Sequence, residues 1–265
     1  MTSTDDSPVP DYPALLRLDG RGFVVVGAGQ GIGRQATHAL TQAGARVFCI
    51  DNQEALAKEI AAEVGGIPWV ADARDRGDVE STVAEAERQL GRIDGLVDIV
   101  GMAKYMDAVD TTDEDWDRTF GMVLRHDFLF AQDAGKSMSA HGGGSMVFVA
   151  SVSGIMSAPR HAAYGAAKAG LMSWVRSLAV ELGPHNIRVN AVASGVVWTP
   201  RVSAFLGDAG KERNAANAPL RRVALPANIA SALLFFSSDL SSYVTGQTLF
   251  VDGGVGVKFP YPMEL

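Results

Sequence analysis

A short β-branched run at residues 22–26 opens directly onto Gly27-Ala28-Gly29-Gln30-Gly31-Ile32-Gly33, and residues 34–43 then carry helical apolar spacing. Few folds admit that succession. An apolar run bounded by turn residues is a buried strand. Glycines let the backbone turn sharply and approach a ligand. A helix starting there aims its free N–H groups at whatever the loop encloses. The combination is a phosphate site at the carboxyl end of a parallel strand. Its spacing, Gly27-x-x-x-Gly31-x-Gly33, differs from the commoner G-x-G-x-x-G. Gly27, Gly29, Gln30, Gly31, Ile32 and Gly33 are the candidate phosphate contacts.

The chain then repeats the strand–helix alternation. Gly44 ends the first helix, and residues 46–50 form a second strand that stops at Asp51, eighteen residues after Gly33. A carboxylate there accepts hydrogen bonds from adenosine ribose hydroxyls and repels a 2′-phosphate, which favours NAD over NADP. Arg34 is the one nearby basic residue able to soften that preference. Further strands are predicted at 67–71, 95–100, 145–150, 187–193 and 248–251, and helices at 53–64, 79–90, 112–140, 162–182 and 226–237. Asp72, past the third strand, either meets the adenine amino group or occupies a surface turn. Alternation at this interval makes βαβ units and a parallel sheet in one α/β domain.

Residues 199–225 break the rhythm, with Gly207, Asp208, Gly210, Lys211, Glu212 and Arg213 clustered between apolar patches that include Val202, Phe205 and Leu206. An insertion at the carboxyl end of a strand suits a lid over a ligand. Residues 1–20 are expected as a flexible arm and 21–254 as the domain. In the tail, 255–265, Phe259, Tyr261 and Met263 suit a subunit interface.

Apolar residues make up 47% of the 265 and charged residues 20%, enough for a substantial core. The net charge of −7 removes the electrostatic basis for binding nucleic acid or an anionic membrane. No apolar run reaches the roughly 18 residues of a membrane helix, and the polar, acidic start is unlike a signal peptide. A single cysteine, Cys49, excludes an internal disulfide. A cytoplasmic protein acting on a small molecule is expected, with no metal site.

Chemistry is concentrated between Ser151 and Lys168. Tyr164 and Lys168 are four apart in a helical pattern, so they share a face. A phenol beside an ammonium makes a proton donor and acceptor usable near neutrality, because positive charge favours the phenolate. At ~4 Å and an effective dielectric of ~20 the Coulomb interaction is about 4 kcal/mol before desolvation. Ser151, ending an apolar run, can place a hydroxyl opposite the same reacting oxygen. A Tyr and a Lys on a partly exposed helix are the alternative when the pair is taken alone.

These pieces together resemble the short-chain dehydrogenase/reductase family from about residue 21 to 254. The matching positions are Gly27-x-x-x-Gly31-Ile32-Gly33, Asp51, Ser151, Tyr164-x-x-x-Lys168, Gly195-x-x-x-Thr199 and Asp252-Gly253-Gly254. The resemblance implies a Rossmann fold: a doubly wound, parallel, seven-stranded sheet in three layers. It also implies a nicotinamide cofactor and a homo-oligomer, usually a tetramer, whose two long helices build an interface. By position, Tyr164 is the general acid/base, Lys168 lowers its pKa and holds the nicotinamide ribose, Ser151 orients the substrate oxygen, and Thr199 bonds the carboxamide. Gly101, Gly195 and Val197 join the cofactor-binding set.

Two asparagines of the family pattern are missing. Asp98-Ile99-Val100-Gly101 stands where Asn-Asn-Ala-Gly is usual. Aligning Trp116-Asp117-Arg118 with the family's W-D-R puts Val123 at the position of a catalytic Asn that holds a relay water for the Lys. Ser194 and Val26 replace a usual Pro and Thr. Arg125, His126 and Asp127 follow where small or apolar residues are commoner, and pairing of Arg125 or His126 with Asp98 is one expectation, solvated charges the other.

The function expected is NAD-dependent interconversion of a secondary alcohol and a ketone. Met102, Tyr105, Ile155, Met156, Trp198, Phe205 and Leu206 are the candidate pocket walls, with Lys104, Arg160 and Arg201 as rim charges. Their apolar character points to a mostly apolar substrate. The alternatives are an NAD-assisted epimerase, dehydratase or lyase on the same scaffold, and a non-catalytic NAD-binding protein.

Overall fold

The computed structural model describes residues 7–258. Seven parallel strands form one sheet: β1 (Gly22–Val26), β2 (Arg46–Asp51), β3 (Ile67–Val70), β4 (Gly95–Asp98), β5 (Gly144–Ser151), β6 (Ile187–Ser194) and β7 (Thr248–Val251). Their order is β3-β2-β1-β4-β5-β6-β7. The chain winds outward from β1 in one direction and from β4 in the other, so a crevice opens between the ends of these two strands. The helices are α1 (Gly31–Gln42), α2 (Glu54–Val64), α3 (Arg76–Leu90), α4 (Asp113–Phe120), α5 (His126–Ala140), α6 (Ala162–Leu182), α7 (Pro200–Asn217) and α8 (Pro226–Ser237).

The period-2 alternation of each strand feeds two cores. Val24, Val26, Phe48, Ile50, Leu96 and Phe148 face α3, α5 and α6, where Val83, Phe130, Met138, Leu171 and Val175 meet them. Phe23, Val25, Val47, Cys49, Val97 and Val147 face the other way, onto Ala36 and Leu40 of α1 and Ile229, Leu233 and Phe236 of α8. The result is the three-layer, Rossmann-like architecture expected, and β1 and β4 are buried along their whole length.

The differences from expectation are local. The helix predicted over 112–140 is three pieces, because the π turn Gly121–Arg125 interrupts it between α4 and α5. The fourth strand stops at Asp98, whose Oδ1 accepts the Val100 N–H at 3.0 Å and turns the chain out of the ladder. Residues 199–225 are largely helical, with Gly207 (φ 59°, ψ 179°) kinking α7. Ala14–Leu16 form a turn and Leu18 is fully buried, so the packed domain starts ahead of Arg21. Phe259, Tyr261 and Met263 lie outside the described residues. Among the described residues no helix is long and apolar enough to cross a membrane.

Candidate active site

Strand register brings Gly27, Asp51, Ser151 and Gly195 to one edge of the sheet, since Val26 pairs with Ile50 and Asp98, and Ser151 with Ser194. The glycine loop there excludes side chains. A Cβ on Gly33 would lie 1.8 Å from the Gly27 carbonyl oxygen, and one on Gly29 would lie 2.5 Å from Leu56 Cβ. The N-cap of α1, Gln30, makes no side-chain cap bond. The first N–H groups of this helix therefore keep their capacity for an anion, reinforced by the helix dipole. This cradle fits the pyrophosphate of a dinucleotide.

Asp51 has a second role that sequence reasoning did not assign. Its Oδ2 accepts the Gly29 N–H at 3.1 Å and its Oδ1 the Gln53 N–H at 3.0 Å, so it holds the loop in place. Each oxygen keeps a further lone pair, enough for a ribose hydroxyl. Arg34 points elsewhere, paired with Glu63 at 2.7 Å. At Asp72, Arg74 takes both oxygens, at 2.8 and 2.6 Å, and holds the carboxyl below its usual range.

Across the crevice, Gly31 lies against Thr199, whose Cγ2 would be 3.2 Å from a Gly31 Cβ. Thr199 caps α7, with Oγ1 accepting the Val202 N–H at 3.3 Å. Gly195 packs on the Asp252 backbone, where a Cβ would approach Cα to 3.0 Å. Val197 is buried and bridges to Ala224, tying the strand end to the start of α8.

Ser151 ends β5, and its Oγ accepts the Ser153 N–H at 3.2 Å. That turn packs directly on the first turns of α6. A Cβ on Gly165 would lie 2.8 Å from the Ser153 carbonyl, and one on Gly154 3.0 Å from the Lys168 backbone. Glycine at both positions thus lets the Ser151 turn seat against the helix carrying Tyr164 and Lys168. Lys168 is only 2% exposed, and its Nζ donates to the Val149 carbonyl at 2.6 Å. Gly101 comes in from β4, with a virtual Cβ 3.2 Å from that Nζ.

Behind Lys168 lie the residues that depart from the family pattern. His126 Nδ1 is 2.8 Å from Asp98 Oδ2 and 3.4 Å from Asp127 Oδ1, and all three side chains are buried. Of the two sequence alternatives, pairing with Asp98 is the one present, through His126, while Arg125 turns away to donate to the Arg74 carbonyl at 3.2 Å. Burial opposes an imidazolium at His126, but Asp127 and Asp98 outweigh it and raise its pKa. Burial also pushes the Asp127 carboxyl up, to about 8.

The mouth of the site is aromatic. Phe205 of α7 stacks on Tyr105 (centroids 5.0 Å), Tyr105 meets the edge of His161 (4.9 Å), and His161 lies 6.1 Å from the Tyr164 ring. Burial raises the Tyr105 phenol pKa, with the Tyr164 charge adding to it. His161 was not singled out from sequence; its position at the N-cap of α6, three residues before Tyr164, was the available signal. Met102, Ile155 and Phe205 are exposed, Trp198 lies under the Lys211 ammonium at 4.9 Å, and Met156 sits near Gly256. Lys104 pairs with Asp115, and Arg160 with Asp107 at 3.3 Å. A cavity of about 260 Å³ lies beneath α7, lined by Val152, Gly195, Val223 and Asp252 among others. A larger one, about 530 Å³, opens at the opposite end of the strands, lined by Arg21, Arg92, Asp94 and Asp239, whose charges are already paired.

Residues 27–256 match the sequence family described as enoyl-(acyl carrier protein) reductase. The chain belongs to the short-chain dehydrogenase/reductase family. It is 36% identical to a 3-oxoacyl-acyl-carrier-protein reductase of Thermotoga maritima, over 91% of this chain and 99% of that one. It is 35% identical to an NAD-dependent glycerol dehydrogenase of Listeria innocua, over 89% and 93%. Among solved structures, a 7α-hydroxysteroid dehydrogenase complexed with NADH and 7-oxo glycochenodeoxycholic acid superposes with a TM-score of 0.87 at 29% identity, covering 91% of this chain and 96% of that one. These short-chain dehydrogenase/reductase relatives are oxidoreductases.

Proposed function

We propose that this protein is an NAD(H)-dependent oxidoreductase interconverting a secondary alcohol and a ketone on a mostly apolar small molecule. The observation that carries the reading is the seating of the Ser151 turn against the Tyr164–Lys168 helix, at the sheet edge that also presents the glycine cradle. Tyr164 takes the hydroxyl proton on oxidation and returns it on reduction, and Ser151 holds the same oxygen. Lys168, fixed by the Val149 carbonyl, supplies positive charge beside the phenol and holds the nicotinamide ribose. A nicotinamide bound in the crevice supplies the hydride acceptor or donor.

NAD is favoured over NADP because Asp51 occupies the ribose end with a carboxylate, and Arg34 is committed to Glu63. An apolar substrate is favoured because Lys104 and Arg160 are engaged by Asp115 and Asp107, leaving Tyr105, His161 and Phe205 to form the mouth. A homo-oligomer, with the tetramer as the leading form, is favoured by Phe128 and Val180, exposed on the two long helices α5 and α6.

The test is a panel of secondary alcohols and ketones with each cofactor, followed through the near-ultraviolet band of reduced nicotinamide. Turnover with NAD, and a KM for NAD raised roughly tenfold by Asp51→Ala, are expected. NAD binding without turnover of any hydroxyl or carbonyl compound would instead favour an epimerase, a lyase or a non-catalytic binder.

A further inference from the structure

We propose that Asp98, His126 and Asp127 form a buried acid–base cluster that sets the proton balance of Lys168, in place of the asparagine-held water of the family pattern. The inference rests on the Tyr164–Lys168 reading above and extends it to residues that the reading does not use.

One turn of backbone connects the cluster to the ammonium. Asp98 lies two residues beyond Leu96 and so faces the same core, beneath α5 and α6. Its Oδ2 meets His126 Nδ1 at 2.8 Å, and its Oδ1 accepts the Val100 N–H at 3.0 Å. That second bond fixes the turn leading to Gly101, which packs against Lys168 Nζ. The π turn Gly121–Arg125 immediately precedes His126, and the consecutive His126 and Asp127 are both buried. Val123, at the position of the family's asparagine, is buried in the same turn and offers no side-chain hydrogen bond. The polar function lost at Val123 reappears one helical turn later.

The ion pair is not satisfied by its own partners. Among the described residues His126 Nε2 and Asp127 Oδ2 are buried without a hydrogen-bond partner, an arrangement that costs stability and that suits groups exchanging a proton. The charged groups acting on His126 are Asp98 of β4, Asp127 of its own helix, and Lys168 of α6, the last opposing its charge. Coupling is reciprocal, so a change of protonation in the cluster alters the field at Lys168 by the same amount. His126 and Asp127 are therefore positioning residues acting through Lys168. The three donors also lie within 4.8 Å of one another, close enough to suggest a metal site. Against that, His126 Nδ1 is already bonded to Asp98, and Lys168 adds positive charge nearby.

Two readouts test the proposal on the full chain. In ¹⁵N-histidine NMR, the His126 resonance, assigned by its loss in His126→Gln, should titrate at a higher pH in Lys168→Met than in the wild type. An unmoved midpoint would overturn the coupling. This measurement needs no turnover, so an unsuccessful substrate screen would defeat the proposed function and leave this test standing. With an identified substrate, His126→Gln and Asp127→Asn should displace the pH profile of kcat and lower kcat roughly tenfold, short of the ~10²–10⁴ of a direct acid–base group. KM for NAD should stay within about twofold. Lowered thermal stability with an unchanged pH profile would make the cluster structural and end the idea. If His126→Gln does not fold, the double variant Asp98→Asn with His126→Gln keeps an amide–amide bond in the same place, and the same displacement is expected. Stoichiometric uptake of Zn²⁺ with a raised Tm would overturn the proposal in favour of a metal site.

Discussion

Tyr164 and Lys168 owe their placement to one helical turn, and their environment to three other segments. The four-residue spacing puts both on the inner face of α6, yet only Lys168 is fully buried, held by the Val149 carbonyl. Tyr164 stays at the edge of the crevice beside His161. Tyr164→Phe should lower turnover by about 10²–10⁴-fold, the usual worth of a positioned acid–base group. NAD affinity, read by fluorescence titration, should stay nearly intact, because the phenol takes no part in the phosphate cradle. Surviving activity would remove Tyr164 as the acid/base. Cys49 illustrates the opposite case at the same scale. Its side chain is buried in the β2 core and burial pushes the thiol up to about 12. A thiol-disulfide reagent should therefore leave the native protein unmodified and react only on unfolding, as followed by absorbance.

At the scale of elements, the informative piece is the π turn between α4 and α5. Apolar spacing predicts a single helix over 112–140, and spacing alone has no signature for one extra residue in a turn. The clue lay in residue types: a valine where the family pattern has an asparagine, then a His and an Asp where small or apolar residues are usual. Val123→Asn is a direct probe of that element. Val123 is fully buried, so an amide there lacks assured partners and should cost about 1–3 kcal/mol in denaturant unfolding. Unchanged stability with faster turnover would show that a relay water still has a place to bind. The glycine loop was more legible, since each of its steric demands can be met only by glycine. Asp51 was legible in part: its position was readable, but its bond to the Gly29 N–H depends on how loop and strand meet.

For the whole molecule, burying the Asp127 carboxyl in the core makes stability depend on pH. The Asp127 carboxyl is held protonated by burial up to about 8, far above its ordinary range. Between those limits the folded state binds more protons than the unfolded one, so stability falls as pH rises toward 8. Thermal unfolding between pH 6 and 9 should therefore show a declining Tm, and Asp127→Asn should flatten that slope. An equal slope in both proteins would show that Asp127 does not titrate in this window.

Local sequence by itself determined the alternation of strands and helices, the glycine loop, the acidic residue ending β2 and the Ser151, Tyr164 and Lys168 candidates. Each of these follows from backbone sterics or from spacing within a single turn. Tertiary structure alone decided that Asp51 braces the glycine loop, that Arg34 is spent on Glu63, that Phe205, Tyr105 and His161 line the mouth, and that two carboxylates and an imidazole are buried together. Those facts depend on contacts between residues distant in the chain, and on the burial that gives such contacts their electrostatic strength.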